Sequence, residues 1–378
     1  MSFNPDQNKP AEEIIFSHKR HHQYHPPLFF NNIMVKQVNE HKHLDLILDS
    51  KLTFANHITE KLTKARKGVG VIKYLSSYVS VKTLDQIYKM YVRPHLDFCD
   101  VIYHTPEIDS LFDSSSHLPY WMNQIERIQY QAALAVTGTW RGTNTDKIYE
   151  ELGWESLSKR RWFRRLVQFF KIQNGLTPNY LKLLVPLTNN QGPTTRNKRV
   201  VPCIKCRTIS YMNSFYPNAI IIWNIIGPEL RKATSLNSFK SNILKLIRPP
   251  KKKVFNIHDP KGIKMLFQLR VGLSPLNHHK KSHKFKDTPT DTFSCQISAE
   301  NTAHFLVYCN LYTEARIRMF QVINPIVLSN NLRLYNDNLF VKFLLYGHDS
   351  LSVGDNTAVL KATLRYIHES TRFDDPNT

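Results

Sequence analysis

The stretch from Gln124 to Asn174 constrains the fold more than any other, because its apolar residues recur at helical spacing throughout. It predicts three helices in series. The first extends from Gln124 to Val136 and ends before a pair of glycines. The second is short, with Asn144 or Thr145 as its N-cap and Gly153 closing it in the left-handed conformation.

The third helix begins after Ser156 and separates aromatic rings from positive charge. With about 100° between successive residues, one face holds Trp162, Leu166, Phe169, Phe170 and Gln173. The cations of this helix are Lys159, Arg160, Arg161, Arg164, Arg165 and Lys171. No Asp or Glu stands at i+3 or i+4 to neutralise them, so we expect an outward, unpaired basic face.

Two interpretations of this basic face remain open. It is either the solvated side of an ordinary core helix or a surface that binds phosphates. The second is favoured because cations near a helix N-terminus oppose the helix dipole, and a local rule broken so consistently suggests a partner. These six cations are therefore the candidate nucleic-acid contacts.

Composition narrows the class of protein. The 378 residues carry a net charge of +21, and residues 330–378 contain none of that excess, with five Lys/Arg against six Asp/Glu. This distribution favours a polyanionic partner, RNA or DNA, for the preceding part. Five cysteines in so long a chain do not form a disulfide framework, and no apolar run is long enough for a membrane span. We expect an intracellular protein, in cytoplasm or nucleus, whose oligomeric state the sequence leaves open.

The first hundred residues change from strand to helix patterns. Three short strands are predicted: Glu12 to Ser17, Leu28 to Val38 and His41 to Leu48. A long helix follows from Phe54 to about Leu75. Ser80 caps the next helix, Val81 to Val92, and Pro94 is expected to end it. Further along, Ser238 to Ile247 predicts a basic amphipathic helix.

One group of residues has metal-ligand character. Cys295, His304 and Cys309 follow the spacing Cys-x8-His-x4-Cys, and its second half matches a zinc knuckle. A closed zinc site needs a fourth ligand, for which the candidates are His278, His279, His283 and Asp291. The alternative is that His304 is a packed helix histidine. Cys203-x-x-Cys206 has no second pair, and we interpret it as fortuitous.

Several stretches together resemble the region that follows the polymerase palm in reverse transcriptases of non-LTR retrotransposons, the jockey-like elements of arthropods being the group most alike. The stretches are MSFNPD, HKHLDLILDSKLTFANHI, LDQIYKMYVRPHLDFCDVIYH, IERIQYQAALAVTG, YEELGWESLSKRRWFRRL, SFKSNILKLIRP, NIHDPKGIKMLFQLRVGLSPLNHHK and the tail from LLYG to STRFDD. The resemblance covers nearly the whole chain. It implies a part of an RNA-directed DNA polymerase that holds template and primer.

The sequence departs from that family at three places. The family's Mg²⁺-binding Tyr/Phe-x-Asp-Asp hairpin is absent, and Phe373-Asp374-Asp375 is interpreted as a solvated tail. Asp45 stands where the family's hairpin turn usually has glycine. Phe293 stands where the family usually has a further cysteine. Mg²⁺ is therefore expected only where a palm domain is attached upstream, and zinc is the one cofactor that these residues indicate.

These observations predict a mainly α fold with a small N-terminal β-sheet (α+β). Three consecutive parts are expected: an end-of-palm, thumb-like module at 1–110, a basic helical domain at 111–250, and a small C-terminal domain at 251–378 with a degenerate zinc-knuckle-like cluster. The expected function is nucleic-acid binding within a reverse transcriptase, with no polymerase activity of this chain alone. The alternative is an inactive remnant, or a protein-interaction module with a solvated basic face.

Overall fold

The computed structural model describes residues 11–17, 19, 25–30, 32–103, 120–187, 200–249, 257–286, 295–296 and 298–374. Within these ranges the fold is mainly α with small β-sheets, as the sequence predicts. The segment MSFNPD and residues Asp291 and Phe293, named above, lie outside the described ranges.

The N-terminal part is shorter-stranded than predicted: within the described residues, six short strands form three two-stranded pairings. The predicted strand His41 to Leu48 is in fact a hairpin that turns at Leu44 and Asp45. The strands are β1 Glu12–Ile14, β2 Phe29–Phe30, β3 Ile33–Met34, β4 Lys36–Val38, β5 Glu40–His43 and β6 Leu46–Asp49. β1 pairs with β4 in parallel, whereas β2–β3 and β5–β6 are antiparallel.

The turn between β5 and β6 places two non-glycine residues in the left-handed region. Leu44 and Asp45 both have positive φ, 46° and 65°, as a two-residue hairpin requires. Lys42 Nζ lies 2.6 Å from Asp45 Oδ1, and Lys61 also pairs with this carboxylate. The hydrogen bond from Lys42, with that from Lys61, holds the pKa of Asp45 well below its ordinary value. Asp45 is thus fixed in a conformation that an aspartate adopts at some cost.

The helices follow in chain order. Up to residue 103 they are α1 Ala55–Leu75, α2 Val81–Ile87, a π-helix Tyr88–Val92, α3 Arg93–Asp97 and α4 Asp100–Tyr103. Between 120 and 187 they are α5 Tyr120–Thr137, α6 Thr145–Leu152, α7 Leu157–Gln173 and α8 Asn179–Leu183. Between 200 and 249 they are α9 Ile209–Met212, α10 Phe215–Ile225, α11 Pro228–Arg231 and α12 Leu236–Ile247. The last are α13 Pro260–Val271, α14 Asn277–Ser282, a π-helix His304–Tyr308, a 3₁₀ turn Asn310–Tyr312, α15 Thr313–Ser329, α16 Asp337–Tyr346 and α17 Val353–Glu369.

The predicted helix caps are confirmed. Asn144 Oδ1 accepts hydrogen bonds from the backbone N–H groups of Asp146 and Lys147, and Gly153 closes α6 with φ +64°. Ser80 Oγ accepts from the Thr83 N–H at the start of α2. Short polar side chains and a glycine satisfy these helix ends as expected.

Pro94 does not end the helical segment, contrary to the sequence prediction. It is the second residue of α3, a first-turn position where the missing N–H of proline is tolerated. The π-helix Tyr88–Val92 precedes it, with the Arg93 N–H donating to the Tyr88 carbonyl. The helical path therefore continues through Asp97 and, after a short turn, into α4.

The chain forms two compact units, each built from three separate stretches. Unit 1 comprises residues 1–65, 94–125 and 157–246, and unit 2 comprises 66–93, 126–156 and 247–378. The predicted consecutive domains 1–110, 111–250 and 251–378 do not coincide with these units. The reason is that helices distant in sequence pack together, which residue spacing along the chain does not reveal.

Each unit has its own aromatic core. In unit 1 the core joins α7, α10 and α12, where the Phe170 and Phe239 rings stack 4.3 Å apart beside Trp223. In unit 2 Tyr88 stacks on Trp154 at 3.8 Å, and Trp154 Nε1 donates to Asp85.

A second part of the unit 2 core surrounds Phe305, which contacts the rings of Tyr366 and Phe373. Phe373 is therefore a core residue rather than part of a solvated tail, whereas Asp374 is exposed and pairs with Lys261.

Candidate metal centre and the arginine cluster

The three predicted metal ligands come together in unit 2. The ligand atoms of Cys295, His304 and Cys309 all lie within 4.8 Å of one another, and Cys295 Sγ is 3.2 Å from His304 Nε2. Two ligands of a tetrahedral zinc ion lie roughly 3.5 to 3.8 Å apart, given Zn–S near 2.3 Å and Zn–N near 2.0 Å. The group could therefore hold a metal ion with small side-chain adjustments.

A π-helix explains why His304 and Cys309 meet. In the turn His304–Tyr308 the Cys309 N–H donates to the His304 carbonyl at 2.8 Å, a bond across five residues. The wider turn brings side chains five residues apart to the same side, and such turns often occur at functional sites. Arg316 donates to the Cys309 and Val307 carbonyls, and the Tyr366 hydroxyl donates to the Phe305 carbonyl. These bonds fix the π-helix against α15 and α17.

The histidine ring is oriented for ligation. Ser298 Oγ lies 2.6 Å from His304 Nδ1, so that Nδ1–H can donate to it and leave the Nε2 lone pair facing Cys295. Burial lowers the pKa of His304, which favours the neutral ring that binds metals. Burial raises the pKa of the Cys309 thiol, so metal binding there must release a proton. No pattern in the sequence singles out Ser298.

The predicted fourth ligand is not found among the described residues. His279 is buried, with Nδ1 2.8 Å from Ser274 Oγ, and burial lowers its pKa to about 4. His278 and His283 are exposed, and neither belongs to the metal-like group. Within the part of the chain that the structure describes, Cys295, His304 and Cys309 form the only group of at least three potential ligands, so Cys203 and Cys206 form no such site.

A helix that leads into three exposed lysines contacts the residues just before His304. The Asn277 N–H at the start of α14 donates to Glu300, four residues before His304, and Glu300 also pairs with Arg372. Lys281 in the last turn of α14 is exposed, and so are Lys284 and Lys286 just after the helix. The start of α14 is thus tied to the residues that precede His304, and the exposed lysines follow at the other end of the helix.

The predicted basic face of α7 is not an exposed surface. Arg161 and Arg165 are only 2% and 1% exposed, and Lys159 and Lys171 are half-buried. α7 packs against α4 and α10, so its polar side is covered as well as its aromatic side. The expectation of an outward, unpaired face is therefore wrong for the arginines.

Two aspartates that the sequence reasoning missed accept these arginines. Arg160 binds Asp97 through two nitrogens, with Nε 2.9 Å and Nη2 2.6 Å from Oδ2. Arg164 Nε lies 3.2 Å from Asp100 Oδ1, and Arg161 Nε lies 3.8 Å from Asp100 Oδ2. We call Asp97, Asp100, Arg160, Arg161, Arg164 and Arg165 the arginine cluster.

Backbone carbonyls complete the arginine cluster. Arg161 donates to the Leu96 carbonyl at 3.1 Å, and Arg165 donates to the carbonyls of Val101 and Ser214. Burial raises the pKa of Asp100 to about 6, with Arg164 and Arg161 opposing the shift, and lowers the pKa of Arg165 to about 10. The arginine cluster therefore anchors α7 to α3, α4 and α10.

The sequence did not predict this ion pair because Asp97 stands 63 residues before Arg160. The available signal was an acidic pair, Asp97 and Asp100, within the apolar and aromatic run LDFCDVIY. Buried acids in such a run need cations from elsewhere in the chain.

No protein-family model, curated protein or solved structure matches this chain. Within the described residues, no helix combines the length and the apolar character that crossing a membrane requires.

Proposed function

We propose that the chain is the nucleic-acid-binding, post-palm portion of a reverse transcriptase of the non-LTR retrotransposon class, with zinc held by Cys295, His304 and Cys309. The observation that carries the proposal is that α14, which leads into the exposed Lys281, Lys284 and Lys286, is hydrogen-bonded to Glu300 and Thr302 just before His304 of the cysteine–histidine group. The net charge of +21 is consistent with a polyanionic partner. Template and primer, as RNA or DNA, are the proposed ligands.

The chemistry of such a surface follows from its parts. Zinc bound by two thiolates and an imidazole would fix the loop that precedes the π-helix, since structural zinc contributes folding energy directly. A fixed loop holds the start of α14 through Glu300. Lys281, Lys284 and Lys286 would then contact phosphates, and counterion release would make the affinity strongly dependent on salt.

The test combines metal analysis with binding. Purified protein should contain about one zinc per chain, and His304→Ala should lose it. Replacing Lys281, Lys284 and Lys286 by Gln should flatten the logarithmic salt dependence of RNA binding by about 0.7 to 0.9 for each phosphate that these side chains neutralise. The control is the replacement of Lys342, Lys361 and Arg365 by Gln. These three residues lie in 330–378, which has no excess of positive charge. The proposal is contradicted if the purified protein contains no zinc. It is also contradicted if replacing Lys281, Lys284 and Lys286 leaves the salt dependence of RNA binding unchanged.

We also propose that this chain alone does not extend a primer with Mg²⁺ or Mn²⁺. Phosphoryl transfer of this kind needs carboxylates that hold the metal ions. Among the described residues the only metal-like group contains two cysteines and a histidine. Template-dependent incorporation above that of a heat-inactivated sample would contradict this part of the proposal.

A protein-interaction module is the second candidate. It is favoured by exposed apolar side chains at and beyond α8, where Leu183 and Leu187 are 83% and 90% exposed. Under that function the salt-dependent RNA binding described above would be absent.

A further inference from the structure

We infer that the outward face of α1 between Arg66 and Tyr74, together with Tyr78, is a binding surface for single-stranded nucleic acid. The inference rests on the proposed function for the class of partner, and adds a surface that is separate from the metal-like group. All of its residues belong to unit 2. We call it the α1 surface: Arg66, Lys67, Gly70, Lys73, Tyr74 and Tyr78.

Helix geometry defines this surface. Ala65, Val69 and Ile72 are buried, each 3% exposed or less, and they form the inner side of α1. Lys67, Gly70 and Tyr74 recur at spacings of three and four residues, so they share one face on the opposite side. These three residues form a continuous stripe, with Arg66 and Lys73 about two turns apart along one side of it and Tyr78 beyond its C-terminal end.

Two exposed tyrosine rings lie at the C-terminal end of this stripe. Tyr74 is 73% exposed and Tyr78 is 65% exposed, and their ring centroids lie 5.8 Å apart. Val71, next to the stripe, is 52% exposed. The two rings are tilted by 45° to each other, and each offers an accessible face on which an unpaired base can stack, whatever its sequence.

The charged residues of α1 nearest to these rings are positive. Arg66, Lys67 and Lys73 are exposed, and α1 has no acidic residue after Glu60. Three cations along about two helical turns match the phosphates of a strand that lies along the helix. The charge therefore selects a polyanion, and the rings select unpaired bases.

Gly70 leaves room for close approach. A Cβ built at Gly70 meets no atom within 4 Å, so the helix backbone is open at the centre of the stripe. A glycine within a helix costs about 0.5–1 kcal/mol relative to alanine, and here no packing contact of the fold explains it. By contrast, a Cβ at Gly68 would meet Val92 Cγ2 at 2.8 Å, because the neighbouring helical segment packs there.

The experiment uses the full chain and fluorescence anisotropy with a labelled homopyrimidine strand and a blunt duplex, each about 20 nucleotides long. Tyr74→Leu/Tyr78→Leu keeps apolar area but removes the rings, and it should weaken strand binding by about 5- to 150-fold for each base that no longer stacks. Tyr74→Phe/Tyr78→Phe keeps the rings and should bind like the parent. Tyr335→Leu, at a tyrosine that is 76% exposed elsewhere in unit 2, is the matched control.

A second set of variants tests the charge. Replacing Arg66, Lys67 and Lys73 by Gln should flatten the salt dependence of strand binding by about 0.7 for each phosphate that these side chains neutralise. All these side chains are exposed, so circular dichroism and the thermal midpoint should stay at parental values.

Three results would overturn the inference: parental strand affinity in the Leu pair, equal losses in the Leu and Phe pairs, or equal losses for strand and duplex. If replacing Lys281, Lys284 and Lys286 weakens binding and the tyrosine variants do not, the assignment of the α1 surface is wrong and the proposed function stands. If the parent binds no nucleic acid at all, both are wrong.

Discussion

The arginines of α7 and the cations of the α1 surface both lie on helix faces without an acidic residue one turn away in the sequence. The first group is largely buried in the fold, whereas the second is exposed. On α7, Arg161 and Arg165 are almost fully buried and the cluster contains two aspartates. On α1, Arg66, Lys67 and Lys73 remain exposed beside two open tyrosine rings. The charge pattern of one helix therefore does not decide whether its cations meet water, phosphate or a distant carboxylate.

The residue types at the two faces follow this difference. Arginine predominates on α7, where Arg160 binds a carboxylate through two nitrogens and Arg165 donates to two backbone carbonyls. Lysine predominates on α1, where a flexible, hydrated ammonium suits a solvated surface.

The largest expected effect comes from removing the arginines. The quadruple variant Arg160→Gln, Arg161→Gln, Arg164→Gln and Arg165→Gln should unfold or lose several kcal/mol, because breaking even one buried ion pair costs about 3–5 kcal/mol. Chemical denaturation followed by circular dichroism measures the loss. The matched control is Arg66→Gln, Lys67→Gln and Lys73→Gln, whose exposed positions should each change stability by less than about 0.5 kcal/mol. A stable quadruple variant would mean that the arginine cluster is not an internal anchor.

Asp100 should make the stability of unit 1 depend on pH. Burial raises its pKa to about 6, above its ordinary value, so the folded chain favours the protonated acid. This contribution to stability is present below about pH 4 and is lost as the pH rises through 6. Asp100→Asn mimics the protonated form at every pH. The free energy of unfolding of the variant minus that of the parent should therefore increase by about 2–3 kcal/mol from pH 4 to pH 7. Denaturation of both proteins across this range tests it, and a difference that stays constant with pH would contradict it.

The smallest expected effects come from two glycines of α1. Gly70→Ala should stabilise the chain by about 0.5–1 kcal/mol, because its Cβ meets open space and alanine favours the helix. Gly68→Ala should instead destabilise it by about 1–3 kcal/mol, because its Cβ would overlap the Val92 side chain. Thermal midpoints of the two variants measure the contrast. Shifts in the same direction would show that the two sides of α1 do not differ in packing as described.

Local sequence determined those features that a few neighbouring residues control. The buried face of α1, the Asn144 cap and the Gly153 terminus follow from apolar spacing and from the geometry of helix ends, and the structure confirms them. The ligand spacing predicted that Cys295, His304 and Cys309 group together, and the π-helix achieves this. In each case the interacting atoms belong to residues that stand close to one another along the chain.

Tertiary structure alone decided the partners of charges and the division into units. Asp97 and Asp100 reach α7 only because the helical path continues past Pro94, and each unit joins three separate stretches of the chain. Periodicity reports which side of a helix is apolar, but it carries no information on what a polar side will contact. Burying a guanidinium depends on carboxylates and carbonyls supplied from elsewhere in the fold, and only packed helices bring those atoms within bonding distance.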